Sequence, residues 1–181
     1  MLWLLLLGSR ITMSKEYDLR GVRVLVAEDS EFMRSLISDI LTELSVGDTV
    51  AVHNGEEAKA ELEKSSEGDM STPLYDLIFS DWAMQPCDGY ELLKWVRSHH
   101  NPDIRFLPFI MVSAYSTLEW VTQARDAGVT EFLTKPVSVR TIVARLSSVI
   151  EKPRAFVKTG QYFGPDRRRR AVPYNGTDRR R

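Results

Sequence analysis

Short apolar runs alternate with amphipathic stretches five times along the chain. Residues 22–27 (VRVLVA) are a β-branched run that reads as a strand. Phe32, Met33, Leu36, Ile37, Ile40, Leu41 and Leu44 then recur at helical spacing, which predicts a helix with one apolar stripe laid on a sheet. Gly47 and Asp48 break it, a second strand is expected over 49–53, and Asn54 with Glu57 three residues on predicts a capped helix to about Lys64. A polar, turn-rich stretch, 65–73, leads to the apolar run 77–79, which ends in Asp81 before Pro86 and Gly89 interrupt regular structure. The next helix, to about Arg97, buries Leu92, Leu93 and Val96. Residues 107–112 predict a fourth strand, and Ser116 with Glu119 reads as the capping box of a helix stopped by Gly128. A fifth strand is expected over 130–134. Ser138 opens the last helix, with Val139, Ile142, Val143, Leu146, Val149 and Ile150 on its buried side and Pro153 beyond its end.

Five strand-then-helix units joined by right-handed crossovers make an α/β protein: a doubly wound, five-stranded parallel sheet of (βα)5 type with helices on both faces. All parallel strands end on one edge. The residues just past them are Glu28 and Asp29, His53 and Asn54, Asp81, Ser113, and Lys135. In open α/β sheets that edge is where ligands bind, so these side chains can converge although they are far apart in the sequence.

Charge is lopsided. The chain as a whole carries −1, yet from Pro153 onward nine basic residues face two acids, net +7, which leaves −8 on the rest. The expected organisation is an acidic domain over 20–152 and a basic, Arg-rich, flexible tail over 153–181. The tail holds a short repeat, Gly164-Pro-Asp166-Arg-Arg-Arg169 and Gly176-Thr-Asp178-Arg-Arg-Arg181, with Phe156, Tyr162, Phe163 and Tyr174 interspersed. A solvated tail whose aromatics fold back onto the domain is one reading. The others are contact of Arg167, Arg168, Arg169, Arg170, Arg179, Arg180 and Arg181 with an acidic protein surface, with nucleic acid, or with an anionic membrane. The apolar stretch near Met1 is too short to span a membrane and lacks a preceding positive charge, so translation is expected to start at Met13, with residues 1–12 an over-long start or a disordered leader. The single cysteine, Cys87, excludes an internal disulfide and fits a reducing compartment; it reads as a small core filler in preference to a redox sensor. Adjacent His99 and His100 lack a second ligand pair at zinc spacing and read as a solvated helix end.

Three carboxylates meeting in a cleft repel one another unless a cation neutralises them, and hard oxygen ligands without thiolate select Mg²⁺. A carboxylate can act as a nucleophile towards phosphorus, with an ammonium such as Lys135 and a hydroxyl such as Ser113 stabilising the transferred group. VLVAED ending in Asp29, FSDWAM around Asp81 followed by Asp88-Gly89, MVSA around Ser113 and FLTKP around Lys135 together resemble the receiver domain of two-component response regulators, whose fold is CheY-like (flavodoxin-like). The resemblance implies that Asp81 is the phosphoacceptor, served by a histidine kinase or histidine phosphotransfer protein. It implies that Glu28, Asp29, Asp81 and the main-chain carbonyl of Ala83 hold Mg²⁺, that Ser113 and Lys135 bind the phosphoryl group, and that Phe132 is the aromatic switch residue. The family usually has Pro directly after the Met; here Gln85 intervenes before Pro86. The expected function is a cytoplasmic, stand-alone, phosphorylation-controlled signalling switch acting on an unknown downstream protein; a homodimer through the last two helices, as in some relatives, is left open by the sequence. The alternatives are a nucleic-acid-binding regulator working through the tail and a phosphate sink without an output partner. A turnover hydrolase of the haloacid-dehalogenase type would need a second Asp where Ala83 stands, so no turnover enzyme is expected, only phosphorylation and dephosphorylation of Asp81.

Overall fold

The computed structural model describes residues 18–67, 74–160 and 162–168. Residues 1–12 and Arg169, Arg170 and Arg179 to Arg181 therefore lie outside the described residues. Strands β1 (Arg23–Ala27), β2 (Asp48–Val52), β3 (Leu77–Asp81), β4 (Phe109–Ser113) and β5 (Glu131–Thr134) form one sheet in the order β2-β1-β3-β4-β5, every pair parallel. This is the doubly wound architecture expected from the alternation. Helices α1 (Glu31–Glu43) and α6 (Val139–Glu151) cover one face, over Val24, Val26, Phe79, Ile110 and Val112. Helices α2 (Gly55–Glu67), α3 (Gly89–Ser98), the short α4 (Pro102–Arg105) and α5 (Leu118–Asp126) cover the other, over Leu25, Ile78, Phe109 and Met111. Strands buried on both sides read as unbroken apolar runs for this reason.

Several local expectations are corrected. The short α4, capped by Asn101 and opened by Pro102, lies between the helix ending near Arg97 and the fourth strand, where no element is expected from the sequence. The Ser116 capping box does not form; Thr117 is the N-cap of α5 and makes no side-chain bond. Phe32 is 74% exposed, and Val139 and Ile150 are also exposed, each in the first or last turn of its helix. His99 is buried instead of solvated, its ring against Trp95 and its Nδ1 accepting the Asn101 N–H.

Departure from the sequence reading is largest after residue 152. The stretch read as the start of a flexible tail folds into an antiparallel hairpin of β6 (Phe156–Thr159) and β7 (Tyr162–Pro165), placed at the end of the domain away from the strand termini. Phe156 and Phe163 pack on Phe106 at 5.0 and 5.2 Å, and Arg105 lies over Phe163. Beneath them Arg97 is buried, donating from Nε to Gly128 O, from Nη1 to the carbonyls of Arg105 and Leu107, and from Nη2 to Thr130 Oγ1. Burial pushes this guanidinium down to about 9, which leaves it charged at neutral pH.

Candidate functional site

Parallel pairing aligns the ends of β1, β3, β4 and β5. Ala27 pairs with Ser80, Asp81 with Val112, and Ser113 with Thr134, so Glu28, Asp81, Ser113 and Lys135 emerge at one level. The ladder continues one step past the strands: Glu28 N donates to Val52 O at 3.1 Å, Trp82 N to Val112 O at 2.8 Å, and Lys135 N to Ser113 O at 2.8 Å. Gly89 opens α3 hard against β3, since a Cβ there would lie 2.0 Å from Asp81 O. Asp88 caps the same helix through a reciprocal bond with Glu91, which fixes the loop that carries Ala83 and Met84. The Gln85-Pro86 and Lys135-Pro136 peptides are both cis.

Carboxylate oxygens of Glu28, Asp29 and Asp81 come within 4.8 Å of one another. Lys135 Nζ reaches Asp81 Oδ1 at 3.0 Å and Glu28 at 3.1 Å (Oε1) and 2.9 Å (Oε2). Three carboxylates and one ammonium leave two negative charges, which a divalent cation would neutralise. The donor set is all oxygen, without thiolate or imidazole, and fits a hard cation that keeps part of its water shell. Burial raises Asp81 above the ordinary carboxylate range against the pull of Lys135, and burial does the same to Glu28, helped by the charge of Asp81. Burial would lower Lys135, but the hydrogen bonds and charges of Glu28 and Asp81 outweigh it and hold the ammonium above its usual value.

Ser113 is buried, its Oγ accepting the Tyr115 N–H at 3.0 Å. Phe132 is half-buried, its ring 6.4 Å from that of Trp82. An open cleft of ≈ 490 Å³ above the acids is lined by Asp29, Ala83, Met84, Gln85 and Tyr115 among others. His53 and Asn54 do not join the cluster. Asn54 caps α2 by accepting the Glu57 N–H, and the His53 N–H is taken by the Glu57 carboxylate. Arg167 and Arg168 lie on the hairpin side, Arg167 paired with Asp126 at 3.3 Å and Arg168 with Asp166 at 2.8 Å.

Two contributors escaped the sequence reading. Arg34 donates from Nη1 to the carbonyls of Glu28 and Asp29, pinning the acidic turn. Its signal was a cation in the first turn of a helix, where the macrodipole disfavours it, so a specific acceptor had to compensate. The other is an aromatic stack: Trp82 meets Tyr90 face to face and Trp120 edge on, and Trp120 stacks on Tyr115.

A family model for the response regulator receiver domain matches residues 24–147. The chain belongs to the response regulator receiver family. The chemotaxis protein CheY-3 of Vibrio cholerae is 27% identical to it over 133 residues, 74% of this chain and 95% of that protein. Among solved structures, V. cholerae CheY4 aligns with a TM-score of 0.60 at 26% identity, covering 71% of this chain and 98% of that one. The receiver domain of the Arabidopsis thaliana histidine kinase CKI1, solved with Mg²⁺ and BeF₃⁻, aligns with a TM-score of 0.57 at 27% identity, covering 74% and 95%. The fold and the two-component class expected from the sequence are thereby established, and this receiver carries its hairpin beyond the end of the family match.

Proposed function

We propose that the protein is a phosphorylation-controlled switch of a two-component phosphorelay, in which Asp81 accepts the phosphoryl group of a histidine kinase or histidine phosphotransfer protein. The observation that carries this reading is the convergence of Glu28, Asp29 and Asp81 within 4.8 Å under the Lys135 ammonium. A solved relative that holds Mg²⁺ and BeF₃⁻ supports it. Glu28, Asp29, Asp81 and the main-chain carbonyl of Ala83 would hold Mg²⁺, whose positive charge offsets that of the carboxylates and of the incoming phosphoryl oxygens.

An Asp81 carboxylate oxygen forms the new bond to phosphorus as the bond to the donor imidazole nitrogen breaks, and the electron pair leaves with the imidazole. Lys135, already 3.0 Å from Asp81, balances charge on the transferred group. Ser113 Oγ accepts from Tyr115 N, an arrangement that leaves its O–H to donate to a phosphoryl oxygen. Movement of Ser113 towards that oxygen would strain the Tyr115 bond and the stack on Trp120, with Phe132 following behind Trp82. Hydrolysis of the acyl phosphate returns the resting state, so the chemistry serves signalling and not turnover. The reading places the protein in the cytoplasm; no helix among the described residues is long and apolar enough to cross a membrane. Incubation of the full chain with acetyl phosphate and Mg²⁺, weighed as intact protein, should show one added phosphoryl mass. Equal labelling of Asp81→Asn would reject Asp81 as the acceptor.

A further inference from the structure

The hairpin is joined to the receiver through the C-terminal end of α5, and the joint is made by backbone as well as by side chains. Gly128, at φ +93, stops α5 and lies against β7: a Cβ on Gly164 would fall 2.7 Å from Gly128 Cα, and one on Gly128 would fall 2.7 Å from Phe163 O. Two glycines crossing this closely leave no side chain to give way, so a shift of one segment displaces the other. Asp126, the last residue of α5, pairs with Arg167 at 3.3 Å, and the same guanidinium covers the Tyr162 ring at 3.9 Å. Arg167 is the first residue of the arginine run.

The opposite end of α5 is tied to the acidic site. Tyr115 binds Ser113 Oγ and stacks on Trp120 of α5 at 4.8 Å, and Trp120 sets its edge on Trp82, the neighbour of Asp81, at 5.0 Å. Six residues of helix, about 9 Å, separate Trp120 from Asp126.

We propose that the hairpin is a latch coupling the position of α5 to Arg167: α5 answers to Ser113 and Trp82 at one end and holds or releases the hairpin with Arg167 at the other. Held, Arg167 is spent on Asp126 and Tyr162; released, its guanidinium is available to an anionic partner. The trigger rests on the phosphorylation reading above, whereas the joint between α5 and the hairpin does not. Coupling of this kind is reciprocal, so whatever loosens the hairpin must also bias α5 and the acidic site.

Hydrogen exchange by mass spectrometry on the full chain tests both parts. A two-stranded hairpin is marginal alone in water, so undocking appears as lost protection of the β6 and β7 amides. With Mg²⁺ and acetyl phosphate, hairpin exchange should rise by about 5-fold or more, the lower range of typical coupling, and Asp81→Asn should not respond. Without any phosphoryl donor, Asp126→Asn and Gly164→Ala should speed exchange in both the hairpin and α5. Asp126→Asn, a change at a half-exposed ion pair, keeps the test valid if Gly164→Ala fails to fold. A gain of phosphoryl mass with unchanged hairpin exchange would overturn the latch and leave the acceptor assignment standing. No gain of mass would reject the acceptor assignment, and the latch is then judged by the variants: unchanged α5 exchange in Asp126→Asn overturns it.

Discussion

Replacing Asp81 with Asn, which keeps shape and removes charge, should stabilise the metal-free protein. Asp81 is 6% exposed, faces Glu28 and Asp29, and is raised above the ordinary carboxylate range mainly by burial, so the folded state holds its neutral form more readily than water does. Replacing a whole buried ion pair ranges from no effect to a gain of 1–4 kcal/mol, and removing one of three mutually repelling carboxylates while the ammonium keeps a partner is expected to gain about 1–2 kcal/mol. The lower part of the range applies because Lys135 loses one partner but keeps Glu28 at 2.9 Å, so no ammonium is orphaned. For a domain of this size the gain corresponds to a melting temperature about 3–6 °C higher. The pH dependence has a definite sign. A carboxyl raised in the folded state carries no penalty below its unfolded value, about 3.9, and becomes costly as pH rises through the folded value. The advantage of Asn should therefore be complete at neutral pH and fade towards pH 4. Mg²⁺ should raise the wild-type midpoint by mass action and raise that of Asp81→Asn less. Thermal unfolding in EDTA and in millimolar Mg²⁺, at neutral and acid pH, checks each point. A variant less stable than wild type in EDTA at neutral pH, or an identical Mg²⁺ response in both proteins, would refute the reasoning.

Lys135→Ala leaves Glu28 and Asp81 without their counter-ion and should cost about 3–5 kcal/mol in EDTA, partly recovered with Mg²⁺; urea unfolding in the two buffers measures both quantities. Gly89→Ala drives a Cβ to 2.0 Å from Asp81 O and 2.8 Å from Ser80 Oγ, and an overpacked site of this kind should lose about 3 kcal/mol and show a lower rate of acetyl phosphate labelling. Thr130→Val removes the acceptor of the buried Phe109 N–H and one partner of Arg97, for a loss of about 1–3 kcal/mol in urea unfolding with Mg²⁺ affinity unchanged.

Strands and helices were legible because the apolar period changes between two and 3.6, and the acidic site was legible because a parallel sheet sends every strand end to one edge. Periodicity identifies the inward face of a helix but not which of its turns are covered. Phe32, Val139 and Ile150 satisfy the pattern and are exposed all the same. Arg34 had only the weak signal of a cation near a helix N-terminus, its acceptors lying six and five residues before it, whereas the contact of Trp82 with Trp120 is set by tertiary placement and no local spacing announces it. The hairpin was masked by composition. Arginines and glycines give residues 153–181 the look of a solvated tail; the return of its aromatics to the domain is one of the readings of the sequence, but not their seat, Phe106 at the C-cap of α4.

Arg97 shows why that seat exists. The base of a parallel sheet leaves loop carbonyls pointing inward, and those of Arg105, Leu107 and Gly128 all accept from one guanidinium, with Thr130 Oγ1 as its fourth acceptor. A carboxylate could not do this, and a lysine would supply three donors from a single point where Arg supplies a planar fork. Neutral carbonyls satisfy the hydrogen bonds of the cation but not its charge, so the arrangement depends on what covers it, and the Phe156 ring lies over the guanidinium at 5.0 Å. The hairpin therefore covers the base of the receiver in the way that a cation would complete its top: each end of the sheet gathers polar groups that the five strands alone leave uncompensated, three carboxylates at one and three carbonyls at the other. The two solutions meet through α5, which explains why its stop residue is a glycine crossed by another glycine, where any larger side chain would hold the cover away from the charge it shields.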